Sequence, residues 1–150
     1  MSGAASAPIR PRRTMLYVSA DIERHLEKAP TLAADSLIFD LHEAVAADAK
    51  GRARDRVAAA LRRGGFRGQE LVLRTNAPDT PWLADELRLA AELPIDAVLF
   101  TGLDSADAVA AAQRALDAAG GSHLPIMLMI ESPRAVLNAP AMAAASDRAA

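Results

Sequence analysis

The sequence predicts a parallel α/β fold, and three observations carry that prediction. Five short apolar runs are continuous rather than alternating, as strands covered on both faces require. Stretches with helical periodicity, bounded by cap residues, Gly or Pro, separate these runs. Strand and helix alternate along the chain, which is the order that lays successive strands parallel.

Taken in order, the first run is TMLYV (14–18) and leads into a helix with Ile22, Leu26 and Ala29 on one face, stopped by Pro30. The second run, SLIFDL (36–41), precedes a helix carrying Ala49, Ala53, Val57 and Leu61 at spacing four and ending at Gly64-Gly65. The third, ELVLRT (70–75), is followed by Thr80 as the expected N-cap and Pro81 at the first helical position. That helix presents Leu83, Leu87 and Ala90 and closes before Pro94. After DAVLF (96–100) a helix starts near Ser105, presents Val109, Ala112, Leu116 and Ala119, and ends at Gly120-Gly121. PIMLMIE (125–131) is the fifth run; Ser132-Pro133 repeats the cap-then-proline signal, and Pro140 is expected to interrupt the Ala-rich tail. Two architectures accommodate five such units. One is an open, flavodoxin-like sheet; the other is part of a (β/α)8 barrel, at ~31 residues per unit.

Composition bounds the function. With 51% hydrophobic residues among 150 but only one Trp, one Tyr and three Phe, the core is built of small side chains that suit close helix-on-sheet packing. A net charge of −2 gives no basic footprint for nucleic acid. No apolar run reaches the ~18 residues of a membrane span. Cysteine is absent, which excludes disulfides and thiolate metal sites. The first 12 residues are Arg-containing, lack acids and have no apolar signal region, so they are expected to be a disordered lead-in to a domain over 13–150, with the cytoplasm as the expected location.

In both architectures ligands bind at the carboxyl ends of the strands. Those exits hold Ser19-Ala20-Asp21, Asp40-Leu41-His42-Glu43, Arg74-Thr75-Asn76, Thr101-Gly102-Leu103-Asp104 and Glu131-Ser132. No dinucleotide fingerprint, P-loop or nucleophile elbow occurs among them. An acidic pair and an acceptor Asp, as a phosphoacceptor domain needs after strands one and three, are also missing. What remains is a set of carboxylates and one arginine. Arg74 is a planar donor fork suited to a substrate carboxylate, with a structural ion pair as the competing role. Glu131, a carboxylate ending an apolar strand, needs a partner or a purpose such as a hard cation. Asp40 is expected to orient the backbone or a basic neighbour. His42 is expected at the rim, hydrogen-bonded to a neighbour, and Glu43 beside it. His25, His123 and Lys28 are assigned to solvent.

The stretches RRTMLYVSADIERHLEKAPTLAADSLIFDLHEAVAADAKGRAR, LVLRTNAPDTPW and LMIESPRAVLN resemble the citrate lyase β-subunit-like branch of the HpcH/HpaI aldolase/citrate lyase family, colinearly from residue 12 to about 148. The resemblance implies a (β/α)8 TIM barrel, here about five βα units of it. It implies a Mg²⁺-dependent carbon–carbon lyase acting between an acyl-CoA or acyl thioester and a small oxo acid. On the family pattern Arg74 matches the carboxylate-binding arginine and Glu131 the first metal carboxylate, with Asp40, His42 and Glu43 at the site rim. Departures sit at the strand exits: Val18-Ser19-Ala20 replaces V-P-G, Asp40-Leu41-His42-Glu43 replaces D-L-E-D, and Thr101-Gly102-Leu103-Asp104-Ser105 replaces P-K-V-E-S. The second metal carboxylate of the family lies beyond Glu131 and outside these 150 residues. Two expectations follow. The chain is a lyase-family member that obtains missing ligands from another chain, or a catalytically silent truncated relative or binding module that keeps the half-barrel. Either way the open strand edges are expected to pair with another copy, as a homo-oligomer, or with a partner, or else to leave the chain marginally stable alone.

Overall fold

The computed structural model describes residues 11–149. Most of the expected lead-in therefore lies outside the described residues; its last residue, Arg12, forms a two-pronged ion pair with the buried Glu70 (2.7 and 2.8 Å).

Five strands form one sheet: β1 (Met15–Ser19), β2 (Ser36–Asp40), β3 (Glu70–Arg74), β4 (Ala97–Phe100) and β5 (Ile126–Leu128). They lie in the order β1-β2-β3-β4-β5, every pair parallel. That order decides between the two architectures. An open doubly wound sheet reverses direction at a switch point, whereas a barrel adds each strand beside the last.

The five longer helices are α1 (Glu23–Lys28), α2 (Lys50–Arg63), α3 (Leu83–Glu92), α4 (Ala106–Ala118) and α5 (Pro133–Ala143). They cover one face only. Leu37, Phe39, Leu71, Leu73, Val98, Phe100 and Ile126 pack with helix residues such as Val57, Leu61, Leu87, Val109 and Leu116. The alternate residues Ile38, Val72, Ala97, Leu99 and Met127 form a separate cluster made of strand residues alone, with Met129 against it. One apolar layer sits between sheet and helices, and a second lines the concave inner wall. The structure is thus a segment of a (β/α)8 TIM barrel with five βα units.

The inner wall is open at its edges. A cavity of about 400 Å³ is lined by Met15, Tyr17, Ile38, Leu99 and Met127–Ile130. On β1, Met15, Leu16 and Tyr17 are exposed. The outer edge of β5 is not bare: Ile126 N–H donates to Arg148 O (2.9 Å) and a parallel bridge joins Ile126 to Ala149. Arg148 holds that return in place through the Gly121, Ser122 and Leu124 carbonyls and the Asp117 carboxylate.

Ser105 and Ser132 act as N-caps as expected, their hydroxyls accepting from Ala108 N–H (3.2 Å) and Ala135 N–H (3.0 Å). Three local expectations are corrected. Thr80 is not an N-cap: its hydroxyl turns back to donate to Ala77 O (2.7 Å), so 77–80 is a turn and α3 begins only at Leu83. Ile22 is exposed and precedes α1 instead of joining its buried face. Pro140 does not interrupt α5, which runs through it. Proline removes the bond to the Val136 carbonyl, and Val136 is on the exposed side, where water can replace it.

Candidate functional site at the carboxyl ends of the strands

Strand parity decides which exits face the cavity. Ile38 and Val72 point inward, so Asp40 and Arg74, two residues further along paired strands, point inward as well. They are register partners, both 4% exposed, and Arg74 Nη1 lies 3.2 Å from Asp40 Oδ2. Asp40 Oδ1 accepts from the His42 backbone N–H (2.7 Å). One carboxylate thus fixes both the arginine fork and the start of the β2–α2 loop.

Around this buried pair a cleft of about 350 Å³ is lined by Tyr17, Asp40, Glu43, Arg74, Met129 and Glu131. Glu43 approaches Arg74 Nη1 at 3.6 Å and Glu131 approaches Nη2 at 3.9 Å. Arg74 Cζ lies over the ring of Tyr17, 5.5 Å from its centroid. Arg74 Nε is buried with no hydrogen-bond partner. Three carboxylates thus surround a guanidinium that still carries one buried donor without an acceptor, on its Nε–Nη2 edge.

Glu131 is aimed by backbone. The Gly102 N–H donates to its Oε1 at 2.7 Å. Gly102 has φ +70, and a Cβ there would lie 2.9 Å from Ala77 Cβ, so the turn that presents this N–H requires glycine. The T-G-L-D exit, a departure from the family pattern in sequence, supplies a donor to the carboxylate.

His42, expected at the rim, does not line the cleft. Its imidazole Nδ1 is buried without a partner, and its backbone does the binding. His25 and His123 are exposed.

Behind the cleft lies a polar network that the strand exits alone did not reveal. Lys50 Nζ donates to Leu41 O (2.7 Å), His42 O (2.6 Å) and Asn76 Oδ1 (2.8 Å). Asn76 in turn donates through Nδ2 to Leu41 O (2.9 Å) and to the fully buried Glu86, whose other oxygen accepts from Asn76 N–H (2.7 Å). Lys50 also sits 5.1 Å from the centroid of Trp82. Burial lowers the Lys50 pKa, partly opposed by the charges of Glu86 and Asp40, and burial raises that of Glu86 against the pull of its Asn76 hydrogen bonds. The network joins the loop after Asp40 to the residues after Arg74, so the two cleft-forming exits are tied to each other. A signal for it existed in the sequence: a lysine in the first turn of α2 opposes the helix dipole and needs anionic or carbonyl partners.

The donor set suits a hard cation, since Glu43 and Glu131 offer oxygen ligands only. Among the described residues no group of three or more His, Cys, Asp or Glu could hold a metal ion. Asp40 is committed to Arg74 and His42. Among the described residues, Glu43 and Glu131 thus offer carboxylate oxygens for at most part of an Mg²⁺ shell. Mg²⁺ tolerates this because it commonly binds through one or two carboxylates and completes its octahedron with water and substrate oxygens.

Strands added in sequence order, with a carboxylate-and-arginine cleft at their carboxyl ends, define a (β/α)-barrel protein whose ligand cleft lies where barrel enzymes keep theirs. The family model for HpcH/HpaI aldolase/citrate lyase matches residues 13–150, and the chain belongs to that family. Among curated relatives, a (3S)-malyl-CoA thioesterase of Cereibacter sphaeroides is 38% identical over 135 residues, covering 89% of this chain and 45% of the relative. The citrate lyase subunit beta of Leuconostoc mesenteroides subsp. cremoris is 32% identical over 147 residues, covering 93% and 48% respectively. The chain thus spans about half the length of the curated relatives it matches. A solved citrate lyase beta subunit from M. tuberculosis, complexed with oxaloacetate and magnesium, superimposes with a TM-score of 0.71 at 26% identity over 90% of this chain and 54% of that one. Among the described residues no helix is long and apolar enough to cross a membrane.

Proposed function

We propose that this chain carries the oxo-acid and Mg²⁺ half of a carbon–carbon lyase site, acting on an acyl-CoA or acyl thioester and a small oxo acid. The observation that carries the proposal is the pairing of Arg74, buried with a free Nε, with Glu131 at 3.9 Å in one cleft. The oxaloacetate and magnesium held by the M. tuberculosis protein support the same chemistry here.

In this reading the Nε–Nη2 edge of Arg74 takes the oxo acid's carboxylate. Asp40 and Glu43 hold the opposite nitrogen, so the fork does not rotate when substrate arrives. The Gly102 N–H keeps Glu131 turned toward the same spot. Tyr17 and Met129 supply an apolar wall that lowers the local dielectric and strengthens these contacts. Mg²⁺ bound at Glu131 would supply positive charge where negative charge develops on oxygen as the carbon–carbon bond breaks. A homo-oligomer belongs to the same proposal. Exposed Met15, Leu16 and Tyr17 on edge strand β1 support it, and sedimentation of the purified chain tests it.

Calorimetric titration with oxaloacetate, with and without Mg²⁺, tests the site. The expected result is Mg²⁺-dependent binding that is lost in Glu131→Gln and in Arg74→Gln. Binding that is indifferent to both substitutions refutes the assignment.

Thioester hydrolysis is a second reading, favoured by the 38% identity to a malyl-CoA thioesterase. The products separate the two: hydrolysis of malyl-CoA releases free CoA thiol and malate, whereas lyase cleavage releases acetyl-CoA and glyoxylate and no thiol.

A further inference from the structure

Tyr17 is the one aromatic side chain lining the cleft, and it comes from a strand two places away from Arg74. Its register partner is Ile38, one inner layer below Asp40, so the ring must rise past that layer to reach the guanidinium. Arg74 Cζ then lies over the ring face, 5.5 Å from its centroid. The edges of the guanidinium are otherwise governed by unequal contacts: Asp40 and Glu43 at Nη1, Glu131 at Nη2 and nothing at Nε. Contacts at the edges set the direction of the fork but leave its tilt about the long axis weakly determined. A ring face under the guanidinium limits how far it can swing, because cation–π attraction is greatest with the cation over the ring face.

We propose that Tyr17 is a positioning residue for oxo-acid recognition: its ring face seats the Arg74 guanidinium so that its Nε–Nη2 edge is presented to a planar carboxylate. This deepens the assignment of Arg74 as the carboxylate anchor and rests on it. The role belongs to the ring face, not to the hydroxyl. Burial raises the phenol's pKa, and the charges of Arg74, Asp40, Glu131 and Glu43 all act on it, so the phenol senses the same cleft. Because Tyr17 is the only tyrosine in the chain, its absorption reports on this site alone.

The test compares wild type with Tyr17→Phe and Tyr17→Leu on the full chain, by oxaloacetate titration in saturating Mg²⁺. Mg²⁺ titration without the acid and ultraviolet difference spectra accompany it. Phenylalanine keeps the face and is expected to hold affinity within about 2-fold. Leucine removes it and is expected to weaken oxaloacetate by about 3- to 30-fold, the span of a partly to fully desolvated cation–π contact. Mg²⁺ affinity, which rests on Glu131, should stay unchanged in both variants, a separation that general loosening of the fold would not give. In wild type the tyrosine band should shift when oxaloacetate binds. Leucine binding the acid as wild type does, phenylalanine falling as far as leucine, or an unmoved tyrosine band each overturns the proposal while the Arg74 site stands. If wild type binds no oxaloacetate, the anchor assignment itself fails and the role of Tyr17 falls with it.

Discussion

Replacing Lys50 with methionine isolates the contribution of the network behind the cleft. Methionine retains most of the apolar stem and removes only the ammonium. Three acceptors lose a donor: the Leu41 carbonyl, the His42 carbonyl and Asn76 Oδ1. Leu41 O keeps its bond from Asn76 Nδ2 and His42 O keeps one from the Val45 N–H, so one acceptor, Asn76 Oδ1, is left orphaned. An unsatisfied buried acceptor costs about 1–3 kcal/mol. Removing the ammonium also relieves its own desolvation, the dominant influence on this lysine. That relief places the net loss toward the lower end, about 1–2 kcal/mol. With a urea m-value of about 1–3 kcal/mol/M, the unfolding midpoint should fall by about 0.3–2 M. Trp82 is the only tryptophan and lies 5.1 Å from Nζ, so its fluorescence follows the unfolding and should itself change in the folded variant. A loss below about 0.5 kcal/mol, within the usual range of surface substitutions, would show that the lysine is solvated and that the two strand exits are not coupled through it.

Further outcomes follow from other residues. Gly102→Ala should destabilise the chain by about 1–3 kcal/mol, because alanine must hold φ +70 and press within 2.9 Å of Ala77; chemical denaturation reads this. The same variant should also weaken Mg²⁺-dependent oxaloacetate binding, since the N–H that aims Glu131 is displaced. For Asp35, ion-paired with Arg13 at 2.7 Å and with a pKa lowered to about 2, the folded value lies below the unfolded one. Its stabilisation is therefore present above the unfolded pKa of about 4 and is lost as pH falls toward 2. Arg13→Ala should raise its titration, followed by carboxyl NMR shifts, part of the way toward the ordinary range, because the backbone N–H groups of residues 13 and 14 still donate to it. Glu86 has the opposite sign: burial raises its pKa, so the folded state favours the proton and stability falls as pH rises from the unfolded value through the folded one. Glu86→Gln should flatten that part of the stability–pH profile, and an unchanged slope would exclude Glu86 as its source.

The elements legible in the sequence were those set by local pattern. Continuous apolar runs located all five strands, and Ser105 and Ser132 located two helix starts, because burial on both faces and side-chain capping are properties of neighbouring residues. Thr80 departs from its local pattern for the same reason: a hydroxyl three residues from a carbonyl can close a turn as easily as it can cap a helix, and local sequence does not choose. Arg74, Glu131, Asp40 and Glu43 could be picked out because each is a charged residue at or just past the end of an apolar strand, where desolvation makes a charge expensive without a partner. Tyr17 and Gly102 could not, since an aromatic within an apolar run and a glycine in a turn are unremarkable until their neighbours are known.

By itself, then, the sequence determined strand–helix alternation, the strand ends as the place for chemistry and, through resemblance, the family. Only the tertiary structure decided that the strands add in order into a barrel wall and that Arg74 meets Asp40, Glu43, Glu131 and the ring of Tyr17 in one cleft. It also decided that Lys50, Asn76 and Glu86 lock the exits from behind. The physical reason is range. Burial periodicity and capping act over a few residues, whereas the partners of a buried charge are chosen by which strands lie side by side.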